Sequence, residues 1–147
     1  YTHEKKRMGT AGALLLAKDK ISDIFLVING DVLTNINFNN LLKFQKDNNS
    51  DCIICTKSHE ISVPYGVVES EGVIFKGVSE KPLYSYNISA GIYMMNRKVL
   101  EYIPPDCFYD MPELIESVKN KHRVNVFPIK EYWADIGTMK DLLIARG

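Results

Sequence analysis

Residues 24–28 read Ile-Phe-Leu-Val-Ile and run directly into Asn29-Gly30-Asp31. An unbroken apolar run of this length, closed by turn residues, is what a strand buried on both faces looks like. Such strands belong to sheets covered by helices on each side. In open α/β folds ligands bind outside the carboxyl ends of the strands, so Asp31 stands where a carboxylate can meet one. A second passage, Glu131-Tyr-Trp-Ala-Asp135, ends in the same way about a hundred positions later. Two strand-end carboxylates can share a divalent cation, and Mg²⁺ takes one or two carboxylates together with waters and phosphate oxygens. Phosphate chemistry is therefore the first expectation.

The rest of the chain alternates in the manner of an α/β fold. Gly9-Thr-Ala-Gly-Ala-Leu-Leu-Leu-Ala17 predicts a loop turning into a helix, with Thr10 as its cap. Apolar positions 38, 41, 42 and one near 45 predict an amphipathic helix that ends in the polar turn 47–50. A strand over 51–56 follows, continuing an alternating, parallel pattern. Residues 65–70 and 72–78, joined at Glu71-Gly72, predict a hairpin. A strand over 87–95, a short helix over 97–102 stopped by two prolines, and a helix over 110–119 come next. That last helix has Asp110 at the cap, Pro112 just inside and a cation late. Strands over 124–129 and 132–134 and a closing helix over 139–145 complete the reading. No repeat, linker or low-complexity segment appears, so residues 1–147 are expected to form part of a single domain with a Rossmann-like, mixed and mainly parallel sheet flanked by helices.

Composition narrows the function classes. Lys plus Arg and Asp plus Glu number 18 each, so no global field draws the chain to nucleic acid or to an acidic membrane. No apolar run approaches a membrane span, and no signal-peptide pattern is present, so a cytoplasmic protein is expected. Three cysteines provide no disulfide framework. Cys52-Ile-Ile-Cys55 has the spacing of a metal or redox pair, but residues three apart on a strand point to opposite faces, so both are read as small buried hydrophobes. His3, His59 and His122 lack metal-ligand spacing and are expected on the surface.

Six segments together resemble the sugar-phosphate nucleotidyltransferases, the nucleotide-sugar pyrophosphorylases. They are Met8-Gly-Thr-Ala-Gly-Ala-Leu14, Asn29-Gly-Asp31, Pro64-Tyr-Gly-Val-Val-Glu69, Glu80-Lys-Pro82, Ser89-Ala-Gly-Ile-Tyr93 and Trp133-Ala-Asp-Ile-Gly-Thr138. The resemblance implies attack of a sugar 1-phosphate oxygen on the α-phosphorus of a nucleoside triphosphate, releasing pyrophosphate and a nucleotide sugar. Such a displacement depends on charge neutralisation and in-line placement. The implied roles are Asp31 and Asp135 on Mg²⁺, Lys81 on the sugar phosphate, and Glu80 accepting from sugar hydroxyls. Gly66 would bring a backbone N–H to the sugar, with Asn87, Ala90 and Gly91 also on the sugar side. Gly9 and Thr10 would lie against the nucleobase, at a helix start that also favours anions. The first of these segments looks most like guanylyltransferases acting on mannose 1-phosphate, because Arg7 and Met8 stand where pyrimidine-reading relatives place a Gln. GTP is thus the favoured nucleotide, and a homo-oligomer is compatible with the pattern.

One departure limits the resemblance. Family members open with a glycine-rich loop and a downstream Pro-Lys that wrap the triphosphate, and neither occurs here. The chain, which begins at Tyr1, is therefore expected to be the carboxyl-terminal portion of a longer domain, inactive alone. About 70 further residues upstream, roughly two β-α units, would complete it. Two alternatives compete: a noncatalytic nucleotidyltransferase-like module for regulation or assembly, and a glycosyltransferase with an Asp-x-Asp strand end. The single Asp after Asn29-Gly30 disfavours the second.

Overall fold

The computed structural model describes residues 2–137. Its centre is a four-stranded sheet made of β1 (Ile24–Ile28), β3 (Cys52–Ser62), β6 (Leu83–Asn96) and β7 (Val124–Pro128), in the order β1-β6-β3-β7. β3 and β7 pair in parallel, whereas β6 runs antiparallel to both β1 and β3. Three strands therefore share one direction and β6, inserted between β1 and β3, opposes them. β1 and β3 are parallel, as the alternation predicts, but they are not neighbours. Two smaller ribbons complete the strands: β2 (Val32–Thr34) with β8 (Trp133–Asp135), and the hairpin β4 (Val67–Glu71) with β5 (Ile74–Ser79).

The middle of the sheet, in β3 and β6, is buried on both faces because these strands carry apolar residues at consecutive positions. By contrast β1, expected to be buried on both, ends the described sheet and leaves Leu26 and Ile28 exposed. In β6, Tyr93 and Met95 face one cluster with Cys52, Val99, Leu100, Met111 and Leu114, under α1 (Gly9–Gly12) and α3 (Met111–Val118). Ala90, Ile92 and Met94 face the other, with Ile53, Cys55 and Leu41 of α2 (Phe38–Asn48). The cysteines thus lie on opposite faces, and burial pushes both thiols up to about 12. They are neutral core groups, as the strand periodicity requires.

Local signals explain most boundaries. Asn37 caps α2 by accepting from Asn39 N at 3.0 Å, and Asn49 ends it in the left-handed region, φ 49°. The hairpin turn is Gly72–Val73, one residue later than the sequence reading, with Gly72 at φ 60°. A positive φ at the first central residue suits the twist of a two-residue hairpin. The predicted helix over 9–17 divides into the single turn of α1 and a 3₁₀ turn, Ala13–Ala17. Thr10 does not cap it; its side chain is drawn away to α3. His122 is not a free surface residue, since its side chain is only 13% exposed, beside Asp51. The closing helix expected over 139–145 lies outside the described residues. Among the described residues no helix is long and apolar enough to cross a membrane.

β6 contains the main irregularity. Two steps along β3, from Ile54 to Thr56, face four along β6, from Tyr93 to Ser89. The surplus is a bulge at Ala90–Ile92, made possible by Gly91 at φ 67° and tied by a 2.9 Å hydrogen bond between the Ser89 and Tyr93 hydroxyls. Beyond it, β3 from His59 and β6 back from Asn87 form an exposed arm, continued by the β4–β5 hairpin.

Candidate functional site

The bulge is the root of the two aspartates. On one side Asn29 N donates to the Gly91 carbonyl at 2.8 Å, and the Asn29 side chain lies so close that a Cβ on Gly91 would meet its Nδ2 at 2.8 Å. On the other side Trp133 Nε1 donates to the Ala90 carbonyl at 2.8 Å. Asp31 follows Asn29 by two residues and Asp135 follows Trp133 by two, so adjacent residues of β6 anchor both arms of the pair.

The short β2–β8 ribbon then brings the carboxylates together. Val32 pairs with Asp135, and Ile136 N donates to the Asp31 carbonyl at 2.8 Å. Gly137 closes the group: its N–H donates to Asp135 Oδ1 at 3.0 Å. A Cβ built on Gly137 would lie 3.2 Å from Asp135 Oδ1 and 3.8 Å from Asp31 Oδ2. Both carboxylates thus face one small space that the missing side chain leaves open. Both are exposed, and among the described residues no third His, Cys, Asp or Glu joins them. Two oxygen ligands with room for water and substrate fit Mg²⁺, and they do not make the closed N/S cage of structural zinc.

The sugar-side candidates form a second group, at the base of the hairpin. A Cβ on Gly66 would lie 3.1 Å from Glu80 Oε2, so glycine here lets that carboxylate fold against the main chain. Lys81 has φ 44°, an uncommon conformation for a residue with a side chain, and its side chain is exposed. Asn87 is exposed on the arm, in register with Ser58. No hydrogen bond or ion pair among the described residues joins Glu80 or Lys81 to the aspartates. Eight residues of strand, about 26 Å of contour, separate the start of β6 from Gly91.

Two sequence assignments change. Ala90 and Gly91, expected at the sugar, are buried: the Ala90 methyl belongs to the core beneath α2 and its carbonyl is taken by Trp133. They position the aspartates. The start of α1, expected to welcome an anion, already has three of its amides engaged. Thr10 N donates to Asp110 Oδ1 at 2.9 Å, and Ala11 N and Gly12 N donate to the Tyr109 carbonyl at 3.0 and 2.9 Å. Sequence reasoning gave no role to Asn29, Trp133, Gly137 or Lys57. Lys57 Nζ donates to the Glu131 carbonyl at 2.8 Å and so holds the approach to β8. Only the glycine in the Asp-Ile-Gly sequence signalled a close approach.

The chain is similar to several known proteins. A family model described as nucleotidyl transferase matches residues 1–146. The mannose-1-phosphate guanylyltransferase catalytic subunit beta of Dictyostelium discoideum is 33% identical, over 100% of this chain and 43% of its own length. The mannose-1-phosphate guanyltransferase of Schizosaccharomyces pombe is 36% identical, over 97% and 42%. The chain therefore spans about two fifths of the length of these curated relatives. Among solved structures, HddC from Yersinia pseudotuberculosis aligns with a TM-score of 0.68 at 28% identity, covering 97% of this chain and 63% of that one. A second structure of HddC, complexed with GMP-PN, aligns equally well at 26% identity.

Proposed function

The chain belongs to the nucleotidyl transferase family, and from that premise we propose that the protein carrying it transfers a nucleoside monophosphate from a nucleoside triphosphate, GTP by preference, to a sugar 1-phosphate. The products are a nucleotide sugar and pyrophosphate. The observation that carries this reading is the convergence of Asp31 and Asp135 on the space left by Gly137. In it, Asp31 and Asp135 hold Mg²⁺, which supplies charge neutralisation to the phosphates when bound.

The chain's own residues divide the remaining work. Lys81 places a point charge on the sugar phosphate, while Glu80 accepts hydrogen bonds from sugar hydroxyls and the Gly66 main chain bounds the sugar. Asn87 is a further polar group on that arm. Gly9 and Thr10 bound the nucleotide through the main chain. GTP is preferred because the relatives named above are guanylyltransferases. A cytoplasmic, homo-oligomeric enzyme that needs residues beyond this chain for turnover is part of the same proposal.

The test is pyrophosphate release by the full-length protein against a matrix of nucleoside triphosphates and sugar 1-phosphates with Mg²⁺. Turnover is expected with GTP, and Asp31→Asn and Asp135→Asn should each lower kcat by about 10³-fold, the scale of losing a group that stabilises transition-state charge. Folded variants with undiminished turnover would refute the metal assignment. Absence of turnover with every pair would favour the noncatalytic module.

A further inference from the structure

Gly9–Gly12 is fastened to the start of α3 from several directions. Asp110 Oδ1 accepts from both Thr10 N and Thr10 Oγ1, at 2.9 and 3.1 Å. In return Thr10 Oγ1 accepts from Met111 N at 2.8 Å, so Thr10 satisfies an amide at the start of α3. Tyr109 N donates to the Met8 carbonyl at 2.9 Å, and the Tyr109 carbonyl receives Ala11 N and Gly12 N. Main chain lies directly on main chain: a Cβ on Gly9, at φ 76°, would stand 2.5 Å from the Tyr109 oxygen. Asp110 is itself held from the α3 side, where its N–H donates to Glu113 Oε2 at 2.7 Å.

We propose that Asp110 is a positioning residue for nucleotide recognition, holding Gly9–Gly12 against α3 through a reciprocal clasp with Thr10. The inference rests on the nucleotide reading of Gly9 and Thr10 given above. The Thr10 hydroxyl directs its only proton to Asp110 and one lone pair to Met111 N, so its principal partners are in α3. Because the Thr10, Ala11 and Gly12 amides are already satisfied, a nucleotide at this segment meets a surface of fixed shape. It does not meet a free anion site. The register of that surface depends on α3, a helix more than ninety positions away in sequence that neither supplies a metal ligand nor lies on the sugar arm.

The experiment is steady-state kinetics of the full-length protein with each substrate varied separately, alongside melting temperature. Asp110→Ala should raise KM for GTP by roughly tenfold, the scale of one lost net hydrogen bond of about 1.4 kcal/mol, and leave KM for the sugar 1-phosphate within about twofold. Asp110→Asn, which keeps Oδ1 as an acceptor, should recover most of the loss. Thr10→Val provides an independent arm should Asp110→Ala fail to fold, and the double variant should cost no more than the worse single one. Parallel rises in both KM values, or a lower melting temperature with both KM values unchanged, would overturn the inference and leave the proposed function standing. A wild-type protein that releases no pyrophosphate with any nucleotide would remove the functional reading, and this inference with it.

Discussion

β3 and β6 each belong to two different environments. At one end they lie in the middle of a four-stranded sheet, with apolar residues sealed under helices on both faces. At the other end the same strands form a ribbon in which Ile61, Leu83, Tyr84 and Tyr86 remain exposed. The bulge at Ala90–Ile92 lies between these halves. The aspartates are rooted on the packed side of that boundary, and Gly66, Glu80 and Lys81 belong to the open side. Placement of the carboxylates therefore depends on the core, whereas the arm can change with little cost to the fold.

The sharpest way to break this contrast is Gly91→Val. It forces a side chain into a left-handed backbone and onto Asn29, and an unfavourable φ combined with overpacking should cost about 3 kcal/mol, read as a lower denaturant midpoint. A loss below about 0.5 kcal/mol would show that the bulge is not the structural boundary, since that is the range of ordinary surface changes. Lys81→Ala, on the arm, should do the opposite. The melting temperature should hold or rise slightly, because alanine does not remove a packed group, while KM for the sugar 1-phosphate should increase roughly tenfold or more with loss of a charged hydrogen bond. Equal effects on the two substrates would separate Lys81 from the sugar side.

The smallest effect is expected far from both, at Asp51. Burial raises its carboxyl, but hydrogen bonds from Lys98, Arg123 N and His122 outweigh that and hold it below the ordinary aspartate value. Its folded pKa is thus lower than its unfolded one, so its contribution to stability is complete above about pH 4 and fades as pH falls through the folded value. Asp51→Asn should lower stability by about 1 kcal/mol at pH 7, with the difference from wild type shrinking on acidification. A difference that grew below pH 4 would contradict the direction assigned to Asp51.

What was legible in the sequence follows from how local the physics is. The strand at 24–28, the α2 stripe around Leu41, and Asp110 with Pro112 at the start of α3 are all written in short-range patterns and form where they were read. The two-faced burial expected of 24–28 does not hold, because β1 lies at an edge of the described sheet and leaves Leu26 and Ile28 exposed. The insertion of β6 between β1 and β3 is a long-range choice that no local pattern encodes. The pairing of Asp31 with Asp135 was visible as two similar strand ends and as an implication of the resemblance; the ribbon that joins them, β2, is only three residues long, too short to be read from a local pattern. Ala90 was placed at the sugar by resemblance alone; its burial beneath α2 and the Trp133 indole on its carbonyl are long-range contacts that no local pattern shows. Thr10 was assigned to the wrong helix because cap rules look forward along the chain, and its partner lies across space.

The β2–β8 ribbon has one more consequence, for the order in which the molecule assembles. Three residue pairs close a loop of roughly a hundred residues, so the chain entropy of closure must be overcome before that small ladder returns any stability. A ladder of three pairs returns little stability of its own, so its opening can take place without global unfolding. The meeting of the two carboxylates is therefore a report on completed folding: a nascent or partly opened chain can hold its central strands and still lack the site.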